Sequence, residues 1–252
     1  MEFRADVLCC AAEAPMTNPV TLITGGGGAL GSALGEVLAR AGHRVALVDR
    51  AEGRQRLDEL ARSLPPGAAL PLGLDASDSG GWQAALAQID STLGQLDGAV
   101  LTAGGWQGGA PYHAAGAPAF APMIEMNLNT VHHTLSAILP RLVARGRGSI
   151  VVIGSRAVER PWESAGAAAY AASKAGVVAL AQAIAAEVRE HGVRINAVLP
   201  STIDTAANRR AMPDSDFSRW VSPGSLGGVI RFLLSDEARD ISGAAIPVYG
   251  RA

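Results

Sequence analysis

The segment Thr24-Gly-Gly-Gly-Gly-Ala-Leu-Gly31 constrains this chain more than any other. It follows the apolar run Val20-Thr-Leu-Ile-Thr24 and opens a helical pattern from Gly31 to Ala41, closed by Gly42. Gly26, Gly28 and Gly31 satisfy the G-x-G-x-x-G spacing in a strand–turn–helix context. Glycine lets backbone N–H groups approach a pyrophosphate, and the helix N-terminus adds partial positive charge. Four glycines in a row are otherwise only a flexible turn. Their place at the first strand-to-helix junction is what points to a dinucleotide. The loop lacks the Lys-Ser/Thr of a P-loop, which sets kinases and GTPases aside.

The rest of the chain keeps this rhythm. Short apolar runs at 44–48, 69–74, 98–102, 149–153, 194–199 and 244–248 read as strands. Between them lie helical patterns at 54–64, 81–93, 118–145, 166–188 and 224–234. The 118–145 helix is expected to bend at Pro122 or Pro140. Strands alternating with helices imply a parallel sheet covered on both faces. Its strands should be continuously apolar, and these are. The fold class is therefore α/β: a single doubly wound domain, about seven parallel strands with helices on both faces. Residues 18–252 form it, and residues 1–17 read as a flexible N-terminal extension.

Composition narrows the partners. The 252 residues are 48% hydrophobic and 17% charged, with a net charge of −2. No basic footprint for nucleic acid or an anionic membrane exists. No apolar run approaches bilayer length. The two cysteines, Cys9 and Cys10, are adjacent and offer neither a disulfide framework nor metal spacing, so no metal is expected. A cytoplasmic location fits such cysteine use.

Two further features carry chemistry. Asp49 ends the second strand, where a carboxylate accepts hydrogen bonds from ribose hydroxyls and repels a 2′-phosphate. NAD(H) is therefore the preferred cofactor. Arg50 follows directly and can pair with a phosphate, which keeps NADP(H) possible. Tyr170-Ala-Ala-Ser-Lys174 places a phenol and an ammonium on one helix face. A cation beside a tyrosine favours the phenolate and lowers its pKa toward the working range of an acid–base group.

With these residues the chain resembles the short-chain dehydrogenase/reductase family, from Thr21 to about Gly250. The glycine loop matches at Thr24–Gly31, with Ala29 at the middle glycine. The adenine-contacting acid resembles Asp75, and the Asn-Asn-Ala-Gly motif survives only as Leu101-Thr102-Ala103-Gly104. The helix asparagine matches Asn127, the serine Ser155, and the Tyr-x-x-x-Lys pair Tyr170 and Lys174. Asn196 to Pro200 matches the segment before the substrate lid, with Ser201 replacing a glycine. Three segments, Gly25–Ser32, Ala103–Gly109 and Ala197–Trp220, are most similar to the dihydropteridine reductase-like subgroup, although Ser155 departs from it.

The resemblance implies a Rossmann fold and an NAD(P)-dependent oxidoreductase. Hydride would pass between nicotinamide and a carbonyl or quinonoid, pteridine-like substrate. Tyr170 would donate the proton and Lys174 would tune its pKa and hold the nicotinamide ribose. Ser155 would hold the reacting oxygen, and Asn127 would order a water relay. Ser155 sits slightly further from Tyr170 than is usual, an insertion near Pro161-Trp162-Glu163. Gly25, Gly27, Gly28, Ala29, Leu30, Asp49, Arg50, Asp75, Ala103, Gly104, Tyr170, Lys174, Pro200 and Thr202 would contact the cofactor. Trp106, Phe217 and Trp220 are candidate substrate contacts; loop packing for Trp106 and lid anchoring for the other two are the competing readings. The small residues along Ala175 to Ala186 point to a homodimer or homotetramer. The alternatives are a general ketone reductase or alcohol dehydrogenase, or a non-catalytic NAD(H)-binding protein.

Overall fold

The computed structural model describes residues 18–115 and 120–251. The proposed extension at residues 1–17, Cys9 and Cys10 among them, lies outside the described residues. Seven strands form one sheet: β1 (Val20–Thr24), β2 (Arg44–Asp49), β3 (Ala69–Gly73), β4 (Gly98–Leu101), β5 (Gly148–Ile153), β6 (Val193–Pro200) and β7 (Ala245–Val248). Their order is β3-β2-β1-β4-β5-β6-β7 and every pairing is parallel. The chain thus steps from β1 outward to β3 and returns to place β4 on the other side of β1. Ligands of such sheets sit at this reversal, beyond the carboxyl ends of the strands.

Alternate strand residues feed two separate cores, as a pleat of period two requires. Leu22, Ala46, Val48 and Ile150 pack on one face with α3 (Trp82–Thr92), α6 (Thr130–Arg145) and α7 (Ala168–Val188). Ile23, Leu47, Val100 and Val151 pack on the other with α1 (Ala29–Arg40), α2 (Arg54–Ser63) and α9 (Pro223–Leu234). Because both faces are covered, β1 is buried at all five positions. A fully buried Val, Leu or Ile contributes roughly 1.5–3 kcal/mol, so these continuous apolar strands fix the sheet centre. The edge strand β7 is only half-buried.

The predicted helix over 118–145 is not continuous. Pro118 lies outside the described residues. Beyond it the chain forms α5 (Phe120–Met123), then a widened i→i+5 turn over Ile124–Asn129, then α6. Pro140 sits within α6. The irregularity thus follows Pro122, which lies in α5, while Pro140 leaves α6 continuous; Asn127 lies within the widened turn. Its side chain points inward and bonds to the neighbouring loop and helix, which the wider turn permits.

One further expectation is corrected. Ala168–His191, α7 with the turn after it, is long and apolar enough by composition to cross a membrane. Its alanines raise the apolar content without bulk. One face of α7 lies against the sheet and carries buried Ser173 and Lys174.

Candidate active site

A cleft of about 570 Å³ opens where β1, β2 and β4 end. Gly28 stands at the N-cap of α1, where it brings no side chain to cover the helix end. Gly26 N–H bonds to Val48 C=O (2.9 Å) and Gly28 N–H to Gly25 C=O (3.0 Å), so the loop folds back over the sheet edge. Gly25, Gly28, Ala29, Leu30, Asp49, Arg50, Asp75, Ala103 and Gly104 all line the cleft. These residues fit a dinucleotide: an open helix N-terminus at one end, a carboxylate at the end of β2, and a glycine floor between.

Gly27 does not line the cleft; it donates its N–H to Asp49 Oδ2 (2.8 Å). The other Asp49 oxygen accepts Arg50 N–H (2.8 Å). The carboxylate is thereby aimed by two backbone donors at the cleft wall. Arg56, which sequence reasoning missed, shares that wall. Its Nε donates to Gly27 C=O at 2.9 Å. Only the register of α2 brings it there, and no motif signals it. Asp75 accepts from Ser77 N–H (3.0 Å) and Ser77 Oγ (2.8 Å). The Ser77 backbone bond, with help from the hydroxyl and Arg50, holds its carboxyl below the ordinary range. Thr102, where the resemblance expects asparagine, ties β4 to β1 by donating to Thr24 C=O at 2.6 Å.

Past Gly104 the second half of the site begins. Asn127 is buried and its amide accepts Gly105 N–H (2.9 Å) while donating to Gly105 C=O (3.1 Å) and to Ser173 Oγ (3.0 Å). Gly104 has φ +153°, and a β-carbon there would stand 2.5 Å from Asn127 Oδ1 and 3.5 Å from Lys174 Nζ. Only glycine fits, because backbone, amide and amine converge at this point.

Lys174 and Tyr170 lie on the inner side of α7. Lys174 Nζ donates to Ile153 C=O at 2.9 Å. Burial pushes its amine down to about 8. Burial likewise pushes the Tyr170 phenol above its ordinary value, and the Ser155 hydroxyl beside it pulls the other way. This differs from the expectation that the ammonium lowers the phenol. A low-dielectric pocket penalises both charged forms, and Lys174 spends its proton on a strand carbonyl instead. The added length before Tyr170 does not displace Ser155. It forms an exposed turn at Pro161–Ser164, and the Ser155 hydroxyl remains close enough to the phenol to pull its pKa down. Ser155 also accepts Ala157 N–H at 3.2 Å, which fixes its rotamer.

Lys174 is the only lysine in the sequence; every other basic side chain besides histidine is arginine. That choice is a signal legible without structure. An ammonium that must release its proton in a buried site cannot be exchanged for guanidinium, which stays charged.

Pro200 ends β6, and Thr202 opens the segment 202–221, the expected substrate lid, where its C=O accepts Val221 N–H at 2.9 Å. Neither lines the cleft. Trp106 is 63% exposed and does not line the cleft. Phe217 and Trp220 stack on each other at 4.8 Å, and the Arg209 guanidinium covers Phe217 at 4.6 Å. Arg209 is itself held by Asp204 through bonds of 2.6 and 2.8 Å. These aromatics thus pack within their own segment. Among the described residues no cluster of His, Cys, Asp or Glu has metal-binding spacing.

Residues 19–216 match the family model described as short chain dehydrogenase. The chain belongs to the short-chain dehydrogenase family. It is 32% identical to 2-(S)-hydroxypropyl-CoM dehydrogenase 3 of Xanthobacter autotrophicus, over 93% of this chain and 96% of that protein. It is 30% identical to the 3-oxoacyl-[acyl-carrier-protein] reductase MabA of Mycobacterium tuberculosis, over 95% and 94%. Among solved structures, gox2181 superposes with a TM-score of 0.84 at 28% identity, covering 93% of this chain and 95% of that one. A short chain dehydrogenase of Bacillus anthracis gives 0.80 at 27%, covering 92% and 95%. A short-chain dehydrogenase with this fold is an NAD(P)-dependent oxidoreductase.

Proposed function

We propose that this short-chain dehydrogenase exchanges hydride between NAD(H) and a carbonyl, alcohol or quinonoid carbon of a cyclic substrate, with Tyr170 moving the proton. The single observation behind this is the convergence of Tyr170, Ser155, Lys174 and Asn127 where the cleft passes Gly104. The nicotinamide supplies the hydride when bound. Gly28 and the α1 N-terminus would bind the pyrophosphate, and Asp49 the adenosine ribose. Ser155 would hydrogen-bond the reacting oxygen. Tyr170, raised by burial, is a donor at neutral pH and suits the reductive direction. Lys174 titrates near working pH, so it can pass a proton on to the phenol or to water.

Asp49 favours NAD(H), while Arg50 and Arg56 on the same wall leave NADP(H) a weaker foothold. The pteridine-like end of the substrate range rests on the resemblance of segments 25–32, 103–109 and 197–220. The ketone or alcohol end is favoured by Ser155, and by relatives such as the cyclohexanol dehydrogenase of a Rhodococcus species. A panel of quinonoid dihydropterin, cyclic ketones and cyclic alcohols with NADH, NAD and NADPH separates these readings. Tight NADH binding without turnover of any member would instead make the chain a non-catalytic binder.

Assembly with a second copy is part of the same reading. The outer face of α7 exposes Ala168, Ala172, Ala175, Ala179 and Ala183, small enough for close helix approach. Light scattering after gel filtration at micromolar concentration should give a dimer or tetramer mass; a monomer mass would remove this element.

A further inference from the structure

Three parts of the substrate side meet at the C-terminal tail. The first is the start of the lid, where Ser201 Oγ donates to Tyr249 C=O at 2.7 Å. The second is its far end. Arg219 Nε and Nη2 both donate to Arg251 C=O, at 3.1 and 2.9 Å, and Arg251 N–H returns a bond to Arg219 C=O at 3.0 Å. Gly250, with φ +65°, passes so close that a β-carbon would lie 2.8 Å from Arg219 C=O. The third is the loop that begins at Ser155. There the Tyr249 phenol donates to Glu159 Oε2 at 2.5 Å, and the Arg160 guanidinium covers the Tyr249 ring at 5.7 Å. Glu163 pairs with Arg156 and Arg160 at 3.5 and 3.3 Å, which braces that loop.

The two ends of the segment pair through Val221 N–H to Thr202 C=O and Asp204 N–H to Val221 C=O, and Asn208 and Arg209 bond back to Ile203 C=O and the Asp204 carboxylate. Among the described residues, the hydrogen bonds that tie residues 205–220 to the chain outside 201–222 are those between Arg219 and Arg251. These three charge-assisted or backbone bonds hold the far end of the segment. The tail is fixed in turn by Tyr249 on the Ser155 loop. Burial and the bond to Glu159 push the Tyr249 phenol up to about 12, so it remains a donor across the working pH range.

We infer that Tyr249–Arg251 is a strap setting the lid against the Ser155 loop, and that Arg219 and Tyr249 are positioning residues for substrate binding. The inference rests on reading residues 202–221 as a lid over the substrate. The experiment therefore has one arm that needs no substrate. Four variants of the full chain are compared: Arg219→Ala, Arg219→Lys, Tyr249→Phe, and truncation after Gly250. With NADH present, trypsin cleavage at Arg209–Arg210, inside the lid, should accelerate about tenfold in Arg219→Ala and in the truncation. Arg219→Lys, which keeps one donor, should fall between. In the second arm KM for whichever substrate turns over should rise about fivefold to tenfold while kcat changes less than twofold. NADH affinity and Tm should stay as in the parent. Tyr249→Phe keeps the ring and loses one bond, so its KM should rise by a smaller factor. Unchanged cleavage in Arg219→Ala and in the truncation overturns the strap. A parallel loss of NADH affinity and Tm also overturns it, since the tail would then be ordinary structural support. Faster cleavage with unchanged KM overturns the role in substrate binding while leaving the strap itself. If no substrate turns over, the cleavage arm still decides.

Discussion

The side-chain amide of Asn127 holds both backbone groups of Gly105, accepting its N–H at 2.9 Å and donating to its C=O at 3.1 Å. One residue thus closes a two-bond ring between a helix and the loop after β4, and its third bond goes to Ser173 on α7. Asn127→Ala leaves the N–H and C=O of Gly105 and the Ser173 hydroxyl short of partners in a buried place. A buried unsatisfied group costs roughly 1–3 kcal/mol. The variant should therefore be less stable by about that free energy in denaturant unfolding, and lose activity as Gly104 drifts from Lys174. Asn127→Asp should not restore it, because a carboxylate cannot donate to Gly105 C=O. Unchanged stability in Asn127→Ala would show that the loop is held elsewhere.

Tyr170→Phe removes the hydroxyl and keeps the ring. General acid–base catalysis contributes typically 10²–10⁴-fold, so kcat should drop by about that factor. NADH affinity, read by fluorescence titration, should be unchanged. A rate near that of the parent enzyme would remove Tyr170 from the proton transfer.

Lys174 can be observed alone, because no other lysine exists in the chain. With ¹⁵N-lysine incorporated, the single side-chain nitrogen resonance of the cofactor-free protein should titrate with a midpoint of about 8. A midpoint at the ordinary lysine value would mean that water reaches the amine.

The same shift has a consequence for stability. Folded Lys174 loses its proton at about 8, whereas in the unfolded chain it does so at 10.5. Between those values the unfolded state binds more protons, so stability rises with pH. Below 8 both states are charged, and burial of the ammonium costs about 3 kcal/mol. The stability difference between the parent and Lys174→Met should be constant below pH 8 and change, in favour of the parent, between pH 8 and 10.5. Above pH 10 the raised phenols of Tyr170 and Tyr249 act in the opposite direction in both proteins. A constant difference between pH 8 and 10.5 would contradict the assignment.

Asp49, Arg50 and Arg56 share one wall of the cleft, where the proposed reading puts the adenosine ribose. Asp49→Ala removes the charge that opposes a 2′-phosphate, and the NADPH/NADH affinity ratio should rise by about tenfold or more. Arg56→Ala should lower that ratio and leave NADH binding nearly unchanged. Direct titration of both nucleotides reads this without turnover. An unmoved ratio in Asp49→Ala would exclude the ribose contact.

Much of this architecture was legible in the sequence. Seven apolar runs gave seven strands, and the glycine loop lies where its strand–turn–helix setting placed it. Ser155 follows the end of β5, Tyr170 and Lys174 lie in the first two turns of α7, and Asn127 lies in the widened turn before α6, so burial of these elements brings the four side chains to one region. Local signals failed where a side chain's partner is distant in the chain. The widened turn at Ile124–Asn129 accommodates Asn127's bonds to Gly105 and Ser173, partners that Pro122 just before it does not announce. Arg56 enters the cleft only through the register of α2 against Gly27.

By itself the sequence determined the element order, the continuous burial of the strands and the identity of the one lysine, since these depend on patterning along the chain. Only the tertiary structure decided the electrostatics and the lid. Burial, which needs the whole fold, moved Lys174 down and Tyr170 up. Phe217 and Trp220 became each other's neighbours because Asp204 and Arg209 close the lid on itself. The tail found Arg219 and Glu159 because β7 ends beside them, and that proximity is a property of the packed sheet.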